Sequence, residues 1–171
     1  MSKKDLKEYL HQLTKEQLQD QLLDLYDRFK DVKEFYDFAF NPNENKLLEE
    51  CKFKISKEYF PVNGRKAKMR RSVAQNYIRH FKRLGVNPSL IANVMLYNIE
   101  IAQTFTSGQC IKQESFYKSM LKSFQEAIKF IEVKGLKKEF KDRIENIIEE
   151  SIEQNWINSK GFEMCISSSQ N

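Results

Sequence analysis

Residues 88–106 read PSLIANVMLYNIEIAQTFT, and between Leu84 and Ile111 the only charged side chain is Glu100. Leu90, Ile91, Val94, Met95, Ile99, Ala102 and Phe105 recur at helical spacing, while Leu96, Tyr97 and Ile101 carry apolar character onto the other sides. A helix that is apolar nearly all round is buried by its neighbours. The stretch therefore predicts the buried central helix (88–106) of an all-α domain. Asn93, Asn98, Glu100 and Gln103 interrupt it, and it has no unbroken apolar run of about 18 residues, so it does not read as a membrane span.

Working outward, Asn87 and Pro88 supply an N-cap and a first helical position. Before them lies a helix on Val73, Ala74, Tyr77, Ile78, Phe81 and Leu84, with Ser72 as the expected cap and Gly85 as the stop. A helix on Leu47, Leu48, Cys51, Ile55 and Tyr59 precedes the turn signal Phe60 to Gly64. Near the start, Ser2 with Asp5 caps a short helix bearing Leu6, Tyr9, Leu10 and Leu13. Thr14-Lys-Glu-Gln17 is a capping box for the next, striped by Leu18, Leu22, Leu25, Tyr26, Phe29, Val32 and Tyr36. Downstream, Phe116, Tyr117, Met120, Leu121, Phe124, Ala127, Ile128 and Ile131 mark a sixth helix broken by Gly135. Leu136, Phe140, Ile144, Ile147, Ile148, Ser151, Ile152 and Trp156 mark a seventh, ended by Gly161. No segment alternates with period two long enough for a strand. The expectation is about seven helices in antiparallel hairpins, arranged as a helical-repeat-like stack or as a compact bundle. They form one all-α domain over 1–165, with 166–171 a frayed tail.

A chain of 171 residues holds a core without staples. Cys51, Cys110 and Cys165 lie far apart with no CxxC, which suggests neither a zinc site nor a disulfide framework; each is expected to pack as a small hydrophobe. MSKKDLKEYL has no apolar core of a signal peptide, and the expected location is cytoplasmic. His11 sits in one Glu-x-x-His, where a di-iron bundle needs two, and His80 has no Glu three residues before it. No nucleophile elbow, P-loop or dinucleotide fingerprint occurs. Glu145, Glu149, Glu150 and Glu153 read as a solvated helix face, and Trp156 as the anchor of the last helix. The expectation is a non-enzymatic protein with no metal and no cofactor.

The distinctive feature is charge. No Asp or Glu lies between Glu58 and Glu100, while Arg65, Lys66, Lys68, Arg70, Arg71, Arg79, Lys82 and Arg83 do. This segment carries +8 of a chain total of +5, leaving the rest at −3. Arg79, Lys82 and Arg83 share a helix side, and Arg65 to Arg71 sit on the loop that enters it, so one continuous positive patch is expected. Such patches neutralise phosphates, and arginine suits bidentate contacts to phosphate or carboxylate. Candidate partners are a nucleic acid or an acidic protein surface, with no membrane. Two alternatives stand beside this. The bases are a solvated face, pairing with acids such as Glu145, Glu149, Glu150 and Glu153. Or the protein is a scaffold that binds other proteins in grooves between helical hairpins. A DNA-reading helix-turn-helix over 72–98 fits poorly, because its second helix offers no Lys or Arg to base edges.

Three stretches carry a resemblance. They are KKDLKEYLHQLTKEQLQDQLLDLYDRFKDVKEFYDF with NPNENKLLEE after it, RRSVAQNYIRHFKRLG into the central helix, and ESFYKSMLKSF. Over residues 3 to about 150 the chain resembles an uncharacterised bacterial group, domain of unknown function 6155. The resemblance implies a bacterial cytoplasmic protein and transfers no functional residue.

Overall fold

The computed structural model describes residues 2–62 and 64–167, and among them every regular element is a helix. The chain divides into two compact units, Met1–Asn43 and Glu44–Asn171.

The first unit holds α1 (Lys3–His11), α2 (Lys15–Arg28) and α3 (Lys30–Phe40). Ser2 and Asp5 form a reciprocal capping box at α1, and Thr14 with Gln17 does so at α2. The sequence suggests one helix through 14–40; the structure has two. Phe29 adopts an extended conformation, and its carbonyl accepts the N–H groups of Val32 and Lys33 to start α3. No Gly or Pro marks the break, and the apolar stripe keeps helical spacing across it, so periodicity runs through unaltered. The turn lets α2 pack on α3, with the Tyr26 hydroxyl donating to Asp37 Oδ1 at 2.7 Å. These three helices bury no residue. Leu18, Leu22, Leu25 and Phe29 stay exposed, as does Phe40 at 77%. Some 40 residues enclose too little volume for a core of their own.

The second unit is built around α6 (Pro88–Ser107), which packs against α4 (Glu44–Tyr59), α5 (Arg71–Leu84), α7 (Glu114–Val133) and α8 (Lys137–Glu153). The central-helix expectation holds: Ile91, Ala92, Val94, Met95, Leu96, Ile99 and Ala102 are buried, as are Asn98 and Gln103. Gln103 Nε2 donates to the Ile147 carbonyl at 2.7 Å, and Glu100 takes a two-pronged bond from Arg143 at 2.8 Å on each arm. Asn87 caps α6 through Ser89 N–H, with Pro88 in its first turn. α6 contacts its sequence neighbours α5 and α7 and also the helices two removed, α4 and α8, a pattern common to stacked helical hairpins and to a bundle around a core helix.

Two boundaries depart from expectation. α5 begins at Arg71 with Arg70 at its N-cap position and no side-chain cap, so Ser72 is not the cap. The last expected helix stops at Glu153, and a separate α9 (Ser159–Ser167) follows, giving nine helices among the described residues rather than about seven. The stop is chemically ordinary. Asn155 takes φ +54°, its N–H bonds to the Ile152 carbonyl, and Trp156 N–H reaches back to Ser151. Gly85 and Gly135 end α5 and α7 by the same left-handed device. Gly161, expected as a stop, lies inside α9, where a Cβ would meet the Leu121 side chain at 2.6 Å. Its bareness lets α9 approach α7. Trp156 anchors that junction, with Phe116, Tyr117 and Phe162 rings within 6.0 Å. Ile166 and Ser167 belong to α9; the rest of the expected tail, 168–171, lies outside the described residues. Of the cysteines, Cys51 is buried and burial pushes its thiol up to about 12, whereas Cys110 is exposed and does not pack as a hydrophobe.

Leu96 is fully enclosed, so Leu96→Ala is expected to lower unfolding free energy in urea by about 2–5 kcal/mol. Asn155→Gly is expected to raise it by roughly 1 kcal/mol, because glycine carries no penalty at positive φ.

Candidate anion-binding surface

The basic segment starts from Glu58, near the C-terminal end of α4. Its carbonyl accepts two backbone donors from the far side of the loop, Lys68 N–H at 2.9 Å and Met69 N–H at 3.0 Å. Its carboxylate meets Arg70, with Nε and Nη2 each 2.8 Å from an oxygen. Main chain and side chain of one residue thus staple both ends of the loop together. Met69 sits at φ +51°, a conformation costly for a side chain with a Cβ, and the staple holds it there.

Arg71 is tied down in turn. Its Nε donates to Ser123 Oγ at 2.7 Å and its Nη2 pairs with Glu126, both on α7. Gln75 Nε2 adds a bond to the same Glu126 oxygen at 3.2 Å. Arg70 and Arg71 therefore fasten the start of α5 to α4 and α7. The acids that neutralise them are Glu58 and Glu126, not the expected cluster on α8, where Glu145 pairs with Lys141.

The other six bases are exposed: Arg65, Lys66 and Lys68 on the loop, and Arg79, Lys82 and Arg83 on α5. Ala74, Ile78, Phe81 and Leu84 turn inward from α5, which leaves positions 79, 82 and 83 on the outer side at one-turn spacing. Arg79 is oriented by Asn76 Oδ1 and Arg83 lies 3.4 Å from His80 Nδ1. The Lys82 ammonium rests 4.7 Å from the Phe130 ring centre, a cation–π contact with α7. Helical rise separates Arg71 from Arg79 by roughly 12 Å. Arg65, Lys66 and Lys68 precede α5 in the chain, and Arg79, Lys82 and Arg83 lie on its second half.

Sequence alone does not reveal Glu58, Ser123 and Glu126 as partners. Glu58 is signalled only as the last acid before the acid-free window. Ser123 and Glu126 lie more than fifty residues from Arg71 and leave no local trace. Among the described residues no three His, Cys, Asp or Glu side chains gather closely enough to hold a metal ion, and no helix is long and apolar enough to cross a membrane.

Residues 1–169 match the family of unknown function DUF6155, and the chain belongs to that family. No curated protein and no solved structure matches it.

The Arg70 hydrogen bonds, and then its charge, hold the Glu58 carboxyl below the usual glutamate range, against the opposing effect of partial burial. A carboxyl lowered in the folded state contributes stability that is complete above its unfolded pKa of about 4.3 and is lost as pH falls through the folded value. Glu58→Gln is therefore expected to be less stable than wild type at pH 7, with the two unfolding curves converging as the pH drops below 4. A difference that stays constant down to pH 2 would show that the ion pair is not its source.

Proposed function

We propose that this chain is a non-enzymatic helical binding module that engages an anionic partner, a nucleic acid or an acidic protein surface, through the segment 65–83. The supporting observation is a division of labour among its bases. Arg70 and Arg71 are held by Glu58 and Glu126 and fix the loop, while Arg65, Lys66, Lys68, Arg79, Lys82 and Arg83 are exposed to solvent. A rigid frame that holds six cations outward lowers the entropy lost on meeting phosphates or carboxylates. α5 is about 21 Å long, so its two basic ends bracket somewhat more than half a turn of a nucleic-acid duplex. A bacterial cytoplasm is part of the proposal; the free thiols Cys51, Cys110 and Cys165 favour a reducing compartment.

A second reading, a protein–protein scaffold, draws on the first unit. Leu18, Leu22, Leu25, Phe29 and Phe40 leave apolar surface exposed there, and such surface suits a protein partner.

Fluorescence anisotropy with labelled single- and double-stranded oligonucleotides across a salt series separates the two. Six phosphate contacts on a duplex predict a log–log slope near −5, and Arg79→Ala/Lys82→Ala/Arg83→Ala should flatten it by about 3. Absence of binding at low salt would remove nucleic acid from the proposal. Binding whose salt slope the triple variant leaves unchanged would remove α5 from the site.

A further inference from the structure

We propose that the cleft between α7, α8 and α9 is a binding site for a single-chain anionic amphiphile, a fatty acid in its carboxylate form. The cleft has a volume of 290 Å³. Its walls are Ile128 and Ile131 of α7, Ile144 of α8 and Ile166 of α9, so every helix that borders it contributes an isoleucine. The rest of the lining is charged: the exposed Lys137, Lys138 and Lys141 from the first turns of α8, with Glu132 and Glu145.

The charges at the mouth are unequal. Lys137 pairs with Glu132 at 3.0 Å and Lys141 with Glu145 at 3.8 Å, and both acids also border the cleft. Lys138 has no ion pair among the described residues. Among the described lining residues three ammonium groups stand against two carboxylates, an excess of one positive charge beside apolar walls. One carboxylate with one apolar tail matches that count. Lysine suits the position physically, because its methylene stem extends the apolar wall while its ammonium stays in water to meet the head group.

Volume sets the tail. Ligand pockets run from roughly 300 to 1,000 Å³, so this cleft stands at the small end and takes one chain, not the two of a phospholipid. The inference rests on residues of α7, α8 and α9 and is independent of the role of segment 65–83.

Titration of the whole protein with hexanoate, octanoate and decanoate, followed on isoleucine methyl resonances by NMR, tests it. The methyls of Ile128, Ile131, Ile144 and Ile166 are expected to shift together and saturably. Affinity should rise about fourfold per added methylene until the cleft is full. Lys138→Glu, a change at an exposed position that leaves the packing intact, should weaken decanoate at least tenfold, Lys138→Arg should not, and decanol should bind more weakly than decanoate. Shifts confined to other isoleucines would overturn the proposal. So would equal affinity for decanol and decanoate, no effect of Lys138→Glu, or shifts at these four methyls that follow protein concentration and not ligand, since the cleft would then be covered by a second copy of the chain.

Discussion

A helix with one charge in 20 residues cannot stand against water, and the burial of α6 is the constraint from which the second unit follows. Its apolar side chains point in every direction, so packing on one side would leave the others wet. Four helices are the response: α4, α5, α7 and α8 each turn an apolar stripe toward it. Once a helix is enclosed, each polar group on it needs a partner supplied by the enclosure. Gln103 finds the Ile147 carbonyl and Glu100 finds Arg143, both on α8. These polar bonds fix the rotation of α8 against α6, which apolar contact alone leaves free to slide.

The same enclosure orders the basic segment. α5 has to lay Ala74, Ile78, Phe81 and Leu84 on the core, and a helix with that face inward carries 79, 82 and 83 outward without further instruction. The loop before α5 is a different case. It buries no run of apolar residues, contains a left-handed Met69 and has no helix cap at its end, so its shape depends on the polar staple at Glu58 and on the reach of Arg71 to α7. Charge in this segment has two uses: two bases hold the loop in place, and six extend from the frame that results.

Local chemistry in the sequence predicts much of this and misses the rest for identifiable reasons. The all-α class and the central helix follow from periodicity and from Glu100 standing alone. The caps at Ser2, Thr14 and Asn87 and the stops at Gly85 and Gly135 follow from side chains that act within four residues of themselves. The breaks at Phe29 and Asn155 escape because neither is a residue that punctuation rules weigh heavily. Asparagine takes the left-handed position less often than glycine does, and Phe29 continues the stripe it interrupts. Gly161 misleads in the opposite direction. Glycine between helices suggests a stop, yet here its missing Cβ makes room for Leu121. Among the candidate site residues, the eight bases are evident from composition, but which are bonded inward is not. Arg70 and Arg79 look alike in composition; Asn76 stands one turn before Arg79 on the same helix, but only the fold places the Glu58 carboxylate beside Arg70.

That difference alters what the charge asymmetry means. A segment of +8 suggests a field of eight charges, but Glu58 and Glu126 neutralise two of them at contact distance, so the field at the surface is weaker than the sequence count. Three of the six precede α5 in the chain and three lie on its second half, where helical rise places Arg79 roughly 12 Å along the axis from the helix start, more than a Debye length of about 8 Å at physiological ionic strength. On the proposed reading, bases that run from the loop along α5 suit a partner whose charges repeat over more than about 10 Å. A polymer of phosphates has that property, and so does an acidic helix presenting carboxylates on successive turns.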